Sequence, residues 1–147
     1  MAQVVTVDLK QDKDYRFAIH FTEGIPGLYG DETPPLGKAT GPTPVQLLAA
    51  AVGNCMSDSL LFAIRKFKQQ PEPIQTTVAA TIDRNAENRM RVQNINVKLT
   101  LGVAGSSLAH LDRALEQFEE FCTVGQSVRQ GIPVMIEVYD SEGLRLK

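Results

Sequence analysis

The run Gly41-Pro42-Thr43-Pro44-Val45-Gln46-Leu47-Leu48-Ala49-Ala50-Ala51-Val52-Gly53-Asn54-Cys55 decides how the rest of the chain is read. Thr43 is placed to cap a helix, Pro44 suits the first helical position, and Gln46 closes a Thr-x-x-Gln capping box. From Val45 to about Phe67 the residues are rich in Ala and Leu, and the first half is apolar around most of its circumference. A helix of that kind has to be covered on several sides. Gly53 interrupts it at a propensity cost of about 1 kcal/mol, which close packing against another helix would explain. Arg65, Lys66 and Lys68 suit the negative end of the helix dipole, and Pro71 and Pro73 stop the helix from continuing.

Outward from this helix the period changes to two. Residues 3–9 place Val5, Val7 and Leu9 on one face, Gln11 to Asp14 reads as a polar turn, and residues 15–22 place Phe17, Ile19 and Phe21 together, so the two runs predict a hairpin. A Gly- and Pro-rich stretch from Glu23 to Pro42 leads into the helix, and a loop of that length is often functional. Beyond the helix, Thr76 to Asp83 and Met90 to Val103 alternate again, with Val78, Ala80, Ile82 and then Ile95, Val97, Leu99 and Leu101 inward. Ser106 or Ser107 is placed to cap a second helix, on which Leu108, Leu111, Leu115, Phe118 and Cys122 share a face. Val124 to Arg129 reads as a short turn ended by Gly131, and Ile132 to Tyr139 as a last strand. The order ββ-α-ββ-α-β, with strands paired in hairpins and wet on one face, predicts an α+β fold with antiparallel sheets in a single domain over 1–147. One sheet cannot cover the first helix, so a homodimer burying it between two sheets is expected.

The totals exclude several functions. With 147 residues, a net charge of -2 and dispersed basic residues, the chain lacks the clustered positive surface that nucleic acid requires. The N-terminal Met-Ala-Gln-Val-Val-Thr-Val-Asp has no positive region and no long apolar core, so no signal peptide is read there. No stretch reaches the roughly 18 uncharged apolar residues of a spanning helix. A cytoplasmic protein without membrane partners is expected, and in that compartment thiols are kept reduced. Two Cys and two His, dispersed along the chain, do not suggest a metal site.

Cys55 and Cys122 are the only cysteines. Each admits a bland reading as a small buried hydrophobe. Each also lies on a helix facing the core, where a pair of thiols can meet if the distance allows. His20 reads as a strand-face histidine and His110 as part of an exposed helix turn, and neither has a Ser and Asp partner nearby. Asp58, three residues after Cys55, would oppose a thiolate if close.

The segment Gly41 to Cys55 resembles the helix that carries the reactive cysteine of the OsmC/Ohr family. Asp31-Glu32-Thr33-Pro34-Pro35-Leu36-Gly37 is similar to the loop that leads into it, and Cys122-Thr123-Val124-Gly125-Gln126-Ser127-Val128-Arg129-Gln130-Gly131-Ile132-Pro133-Val134 to the second-cysteine motif. The resemblance implies an intertwined homodimer with sheets wrapped around central helices and active sites at the subunit interface. It implies a thiol-dependent peroxidase for organic, fatty-acid-type hydroperoxides, with Cys55 attacking and Cys122 resolving, no metal, haem or flavin, and an external dithiol as reductant. The family's peroxidases pair an Arg of the first hairpin with a Glu early in the cysteine helix. At those places this chain offers Lys13 or Arg16, and Val45-Gln46, with Glu119 or Glu120 as substitutes for the acid whose simpler reading is a solvated helix face. A non-catalytic module holding a small hydrophobic ligand, with Cys55 as a sensor or pocket-lining thiol, is the alternative.

Overall fold

In the computed structural model, which describes residues 1–147, the chain forms β1 (Asp8–Lys13), β2 (Arg16–His20), β3 (Leu28–Gly30), α1 (Pro44–Arg65), β4 (Gln75–Arg84), β5 (Met90–Thr100), α2 (Leu111–Gln117) and α3 (Thr123–Gln130). Two 3-10 turns, Gly105–Ser107 and Phe118–Phe121, precede and follow α2. The architecture is α+β, with one antiparallel sheet in the order β1-β2-β3 and a second hairpin sheet of β4 and β5.

α1 starts where its capping residues demand. The Gln46 N–H donates to Thr43 Oγ1 at 3.2 Å, and the Thr43 N–H donates back to Gln46 Oε1 at 2.8 Å. Two of the orphan N–H groups of the first turn are thus satisfied. Val52, Met56, Ser59, Leu60, Ala63 and Ile64 form the buried stripe of the helix. Along β4–β5, Thr76, Val78 and Ala80 lie opposite Leu99, Val97 and Ile95, all half-buried against α1. A Cβ at Gly53 would stand 2.5 Å from Val78 Cγ2, so this glycine permits close approach of α1 to a strand, not to another helix. Toward its C-terminal end, Leu60, Ala63 and Ile64 meet Ala114 of α2 in the central cluster, with Phe67, Leu99 and Phe118 around it. By length and composition alone α1 is apolar enough to cross a bilayer, although no 18-residue stretch of it is uncharged. Its contacts with β4–β5, α2 and α3 cover one stripe of it, and 39% of its most apolar stretch is buried within the chain.

Several elements depart from the sequence expectation. β1 begins at Asp8 and runs through the predicted turn, because the reversal is made by Asp14, at φ 54, one residue later than the polar cluster suggested. β3 is an additional strand inside the Gly- and Pro-rich loop. The second helix does not extend from Ser107 to Cys122. His110 adopts a left-handed conformation ahead of α2, and the chain tightens into the 3-10 turn after Gln117. Residues 123–130 are a helix where a turn was expected. Ile132 to Tyr139 pairs with no strand, and only an isolated bridge joins Tyr139 to Arg145. The element order therefore ends on α3 and not on a final strand.

Only 14 of 147 residues are buried, and Val4, Val5, Ile132, Val134, Ile136 and Val138 are among the large hydrophobics left exposed. An apolar groove of about 600 Å³ remains between the first sheet and α1, lined by residues that include Leu9, Ile19, Phe21, Leu47 and Ala50.

Candidate dithiol site

Cys55 projects from the middle of α1, half-buried, into an open cavity of about 320 Å³ that it lines with Asp58, Ser59, Phe62 and Phe121. Phe62 and Phe121 are more than half exposed and form an aromatic mouth. Cys122 lies at the corner between the 3-10 turn and α3 and is 0% exposed. It is therefore buried as expected, but it opens α3 and does not close the preceding helix. As the N-cap of α3 its Sγ accepts the Gly125 N–H at 3.3 Å. A Cβ at Gly125 would lie 2.9 Å from Cys122 Sγ and 3.0 Å from Met56 Cε, so glycine is what lets α3 close on α1 at this point.

The corner is braced from both sides. The Cys122 N–H donates to the Glu119 carbonyl at 3.1 Å, and Gln126 Nε2 donates to the same oxygen at 3.0 Å. Arg129 on α3 pairs with the Glu119 carboxylate at 2.9 Å. The turn is thus braced through the Glu119 main-chain carbonyl, while the Glu119 carboxylate itself is about half exposed in a surface ion pair.

Both thiols are free, and they lie near enough for Cys55 to act on the ionisation of Cys122. Burial pushes the Cys122 thiol above its ordinary pKa, and its hydrogen bond to Cys55 pushes the same way. The Gly125 N–H, donating to the sulfur at 3.3 Å, acts in the opposite direction. One accessible thiol near one buried thiol is an arrangement suited to successive oxidation and cross-linking. Ser59, Phe62 and Phe121 were not singled out from the sequence. Ser59 and Phe62 lie four and seven residues after Cys55, on the same helical face, and that spacing is the signal that identifies them.

The other candidates lie elsewhere in this chain. Lys13 and Arg16 line a separate polar pocket of about 330 Å³ with Asp31 and Lys38. Arg16 Nε lies 3.0 Å from Asp12 Oδ2, and its guanidinium sits 3.8 Å from the centre of the Tyr29 ring. Val45 and Gln46 line a third pocket, with Thr43 and Val78. None of these four residues lines the Cys55 cavity of the same chain. Asp58 does, accepting a hydrogen bond from Asn54 Nδ2 at 3.0 Å. His20 is exposed on β2, and His110 stacks on Phe67 at 5.0 Å. No three His, Cys, Asp or Glu side chains gather as a metal-binding group.

Asp31 organises the loop that delivers α1. Its carboxylate accepts from the Glu32 N–H (2.8 Å), the Lys38 N–H (3.3 Å), the Thr40 N–H (3.0 Å) and the Thr40 hydroxyl (2.7 Å). These bonds, that of the Thr40 hydroxyl foremost, hold its pKa down to about 2 from 3.8. A depressed pKa stabilises the fold above the ordinary carboxylate range, and that contribution fades as the pH falls toward about 2. The stability advantage of wild type over Asp31→Asn should therefore be constant above about pH 5 and disappear between about pH 4 and pH 2. Urea unfolding at a series of pH values reads it, and a difference independent of pH would contradict the role.

The model of the OsmC-like protein family matches residues 37–137. No curated protein matches the chain. Among solved structures, an OsmC-like protein from Mycoplasma pneumoniae is similar at 12% identity and a TM-score of 0.72, over 90% of this chain and 91% of that one. An organic hydroperoxide resistance protein OsmC from Legionella pneumophila is similar at 15% identity and a TM-score of 0.65, over 88% and 91%. The organic hydroperoxide resistance protein OhrB of Bacillus subtilis is similar at 16% identity and a TM-score of 0.59, over 86% and 91%. At these identities the likeness is one of fold.

Proposed function

Because the chain belongs to the OsmC-like protein family, we propose that it is a thiol-dependent peroxidase acting on organic hydroperoxides through Cys55 and Cys122. The observation that carries the proposal is the meeting of the only two cysteines, one open to a cavity and one sealed behind it. The Cys55 thiolate attacks the terminal oxygen of the hydroperoxide. The O–O bond breaks, the alkoxide leaves and takes up a proton as the alcohol, and Cys55 becomes a sulfenic acid. The Cys122 sulfur then displaces hydroxide from it, giving a disulfide and water, and an external dithiol restores both thiols. The aromatic mouth of Phe62 and Phe121 favours a substrate with an apolar body, as the names of the Legionella and Bacillus structures suggest by analogy.

The working form in this proposal is a homodimer in the cytoplasm. Its support is the apolar surface that a single chain leaves open: the groove beside α1 and the unpaired alternating run Ile132 to Val138. In such a dimer the cation facing Cys55 is supplied across the interface, since the chain itself places none in that cavity.

One observation favours a second reading, a ligand-binding module with Cys55 as a pocket-lining thiol. Within the chain, the Cys55 cavity holds the Asp58 carboxylate and no cation. Free-thiol titration separates the two. One equivalent of cumene hydroperoxide should consume two thiols per chain within seconds to minutes, and dithiothreitol should return both. Thiols that remain titratable after the peroxide would favour the binding module.

A further inference from the structure

We propose that Gln126 is a positioning residue for disulfide closure, clamping the Cys122 backbone on both sides so that its sulfur is fixed beside α1 before Cys55 is oxidised. The inference rests on the peroxidase reading and deepens it by assigning the control of its second step. Each polar atom of Cys122 has a partner. The N–H donates to the Glu119 carbonyl at 3.1 Å, the carbonyl accepts the Gln126 N–H at 2.9 Å, and Sγ accepts the Gly125 N–H at 3.3 Å. The half-buried Gln126 side chain closes the circuit, its Nε2 donating to the same Glu119 carbonyl at 3.0 Å. One residue thus holds Cys122 directly at its carbonyl and, through a shared acceptor, at its N–H. The turn before the cysteine needs that hold, because 3-10 hydrogen bonds are poorer than those of an α-helix. The other side-chain link across the corner, Arg129 to the Glu119 carboxylate, is exposed on both partners. The clamped corner faces the reacting thiol: Phe121 lines the Cys55 cavity, and Met56, next to Cys55 on α1, packs against Gly125.

Two reactions compete for the Cys55 sulfenic acid, and the clamp favours one of them. In closure, the S–S bond forms as the S–O bond breaks. The two sulfurs share the oxidation, and the departing hydroxide combines with the proton lost by Cys122 to leave as water. In the competing reaction a second hydroperoxide transfers its terminal oxygen to the same sulfur. The hydroperoxide leaves as its alcohol, and Cys55 becomes a sulfinic acid that a dithiol does not reduce. A sulfur already held in place closes faster than one that must first be brought there, because the fold has fixed its orientation. Gln126 exchanges neither proton nor electron in either reaction. It acts through the position of Cys122 alone, and by hastening closure it keeps Cys55 in the reversible cycle.

The test separates oxidation of Cys55 from closure. Wild-type and Gln126→Met proteins are mixed with one equivalent of cumene hydroperoxide, the sulfenic acid is trapped with dimedone at short times, and the disulfide is followed by quenched-flow mass spectrometry. Methionine keeps the length of the side chain and removes the donor. Cys55 oxidation should proceed at the same rate in both, while closure in Gln126→Met slows by about fivefold, the scale of one neutral hydrogen bond. Gln126→Glu, whose carboxylate cannot donate to the carbonyl, should slow closure likewise. Arg129→Gln, which removes only the exposed ion pair, should close within about twofold of wild type. With excess hydroperoxide, Gln126→Met should accumulate Cys55 sulfinic acid faster than wild type. Independently, a buffer of reduced and oxidised dithiothreitol reads the Cys55–Cys122 disulfide without any peroxide, and its equilibrium constant should fall by a similar factor in Gln126→Met. Closure of Gln126→Met at the wild-type rate or faster would overturn the proposal. If neither protein forms a sulfenic acid, the peroxidase reading has failed, and the dithiothreitol equilibrium then decides by itself whether Gln126 positions Cys122.

Discussion

Cys55→Ser should abolish dithiol-coupled consumption of cumene hydroperoxide, lowering the rate by roughly a thousandfold or more, as removal of the nucleophile in a covalent mechanism does. The reason is the nucleophile itself. A serine hydroxyl at neutral pH is essentially un-ionised, and its oxygen lacks the soft sulfur lone pair that opens an O–O bond. Cys122 cannot take over the first step, because it is 0% exposed behind α1 and burial holds its thiol protonated. The substitution removes no more than one sulfur from a half-buried site, so the far-ultraviolet circular dichroism and thermal midpoint should change little. Loss of activity with the fold intact is the expected result. A variant that consumes hydroperoxide at the wild-type rate would show that the chemistry lies elsewhere.

The second large effect is on stability. Leu60→Ala should destabilise the chain by about 3 kcal/mol, within the range for emptying a buried leucine site, and lower the thermal midpoint by roughly 10 °C. Leu60 is 3% exposed and joins Ala63, Ile64 and Ala114 at the point where α1 meets α2. Phe67, Leu99 and Phe118 close around this cluster from three elements, and a packed shell of that kind collapses poorly into a cavity. With so few residues buried, no other cluster can absorb the loss. The cluster also anchors the half of α1 that follows Cys55, so the cavity mouth should loosen with it. Thermal unfolding at fixed protein concentration measures the effect, and a midpoint shift under about 3 °C would mean that the site repacks.

What the sequence revealed follows the range of the interactions. The start of α1 is written within four residues, Thr43 to Gln46, and the reciprocal cap forms as those residues require. The hairpin of β4 and β5 is equally local, its alternation holding from Thr76 to Ala80 and from Ile95 to Leu99, while Ile82, expected inward, is exposed beyond the register shift after Thr81. The family resemblance likewise rested on three short contiguous segments. Misreadings arose where the outcome depends on geometry that residue spacing does not encode. Leu108 to Cys122 kept a helical period, yet a left-handed His110 and a tightened turn at Phe118–Phe121 divide it, and Cys122 passes from the end of one helix to the cap of another. Ile132 to Tyr139 has the period of a strand, but a strand needs a partner, and none is offered within the chain. Lys13 and Arg16 were placed by motif near Cys55, while the β1–β2 turn carries them to the Asp31 pocket. Ser59 was visible by helical spacing but carried no motif to mark it.

The proximity of the cysteines is thus the feature on which the functional account depends, and peptide mapping tests it most directly. Protein oxidised with one equivalent of cumene hydroperoxide is alkylated, digested without reduction and analysed by mass spectrometry. The account predicts a cross-linked pair of peptides containing Cys55 and Cys122, formed within one chain and absent after dithiothreitol. Recovery of both cysteines as alkylated thiols, or of Cys55 oxidised to sulfinic acid with Cys122 untouched, would contradict it.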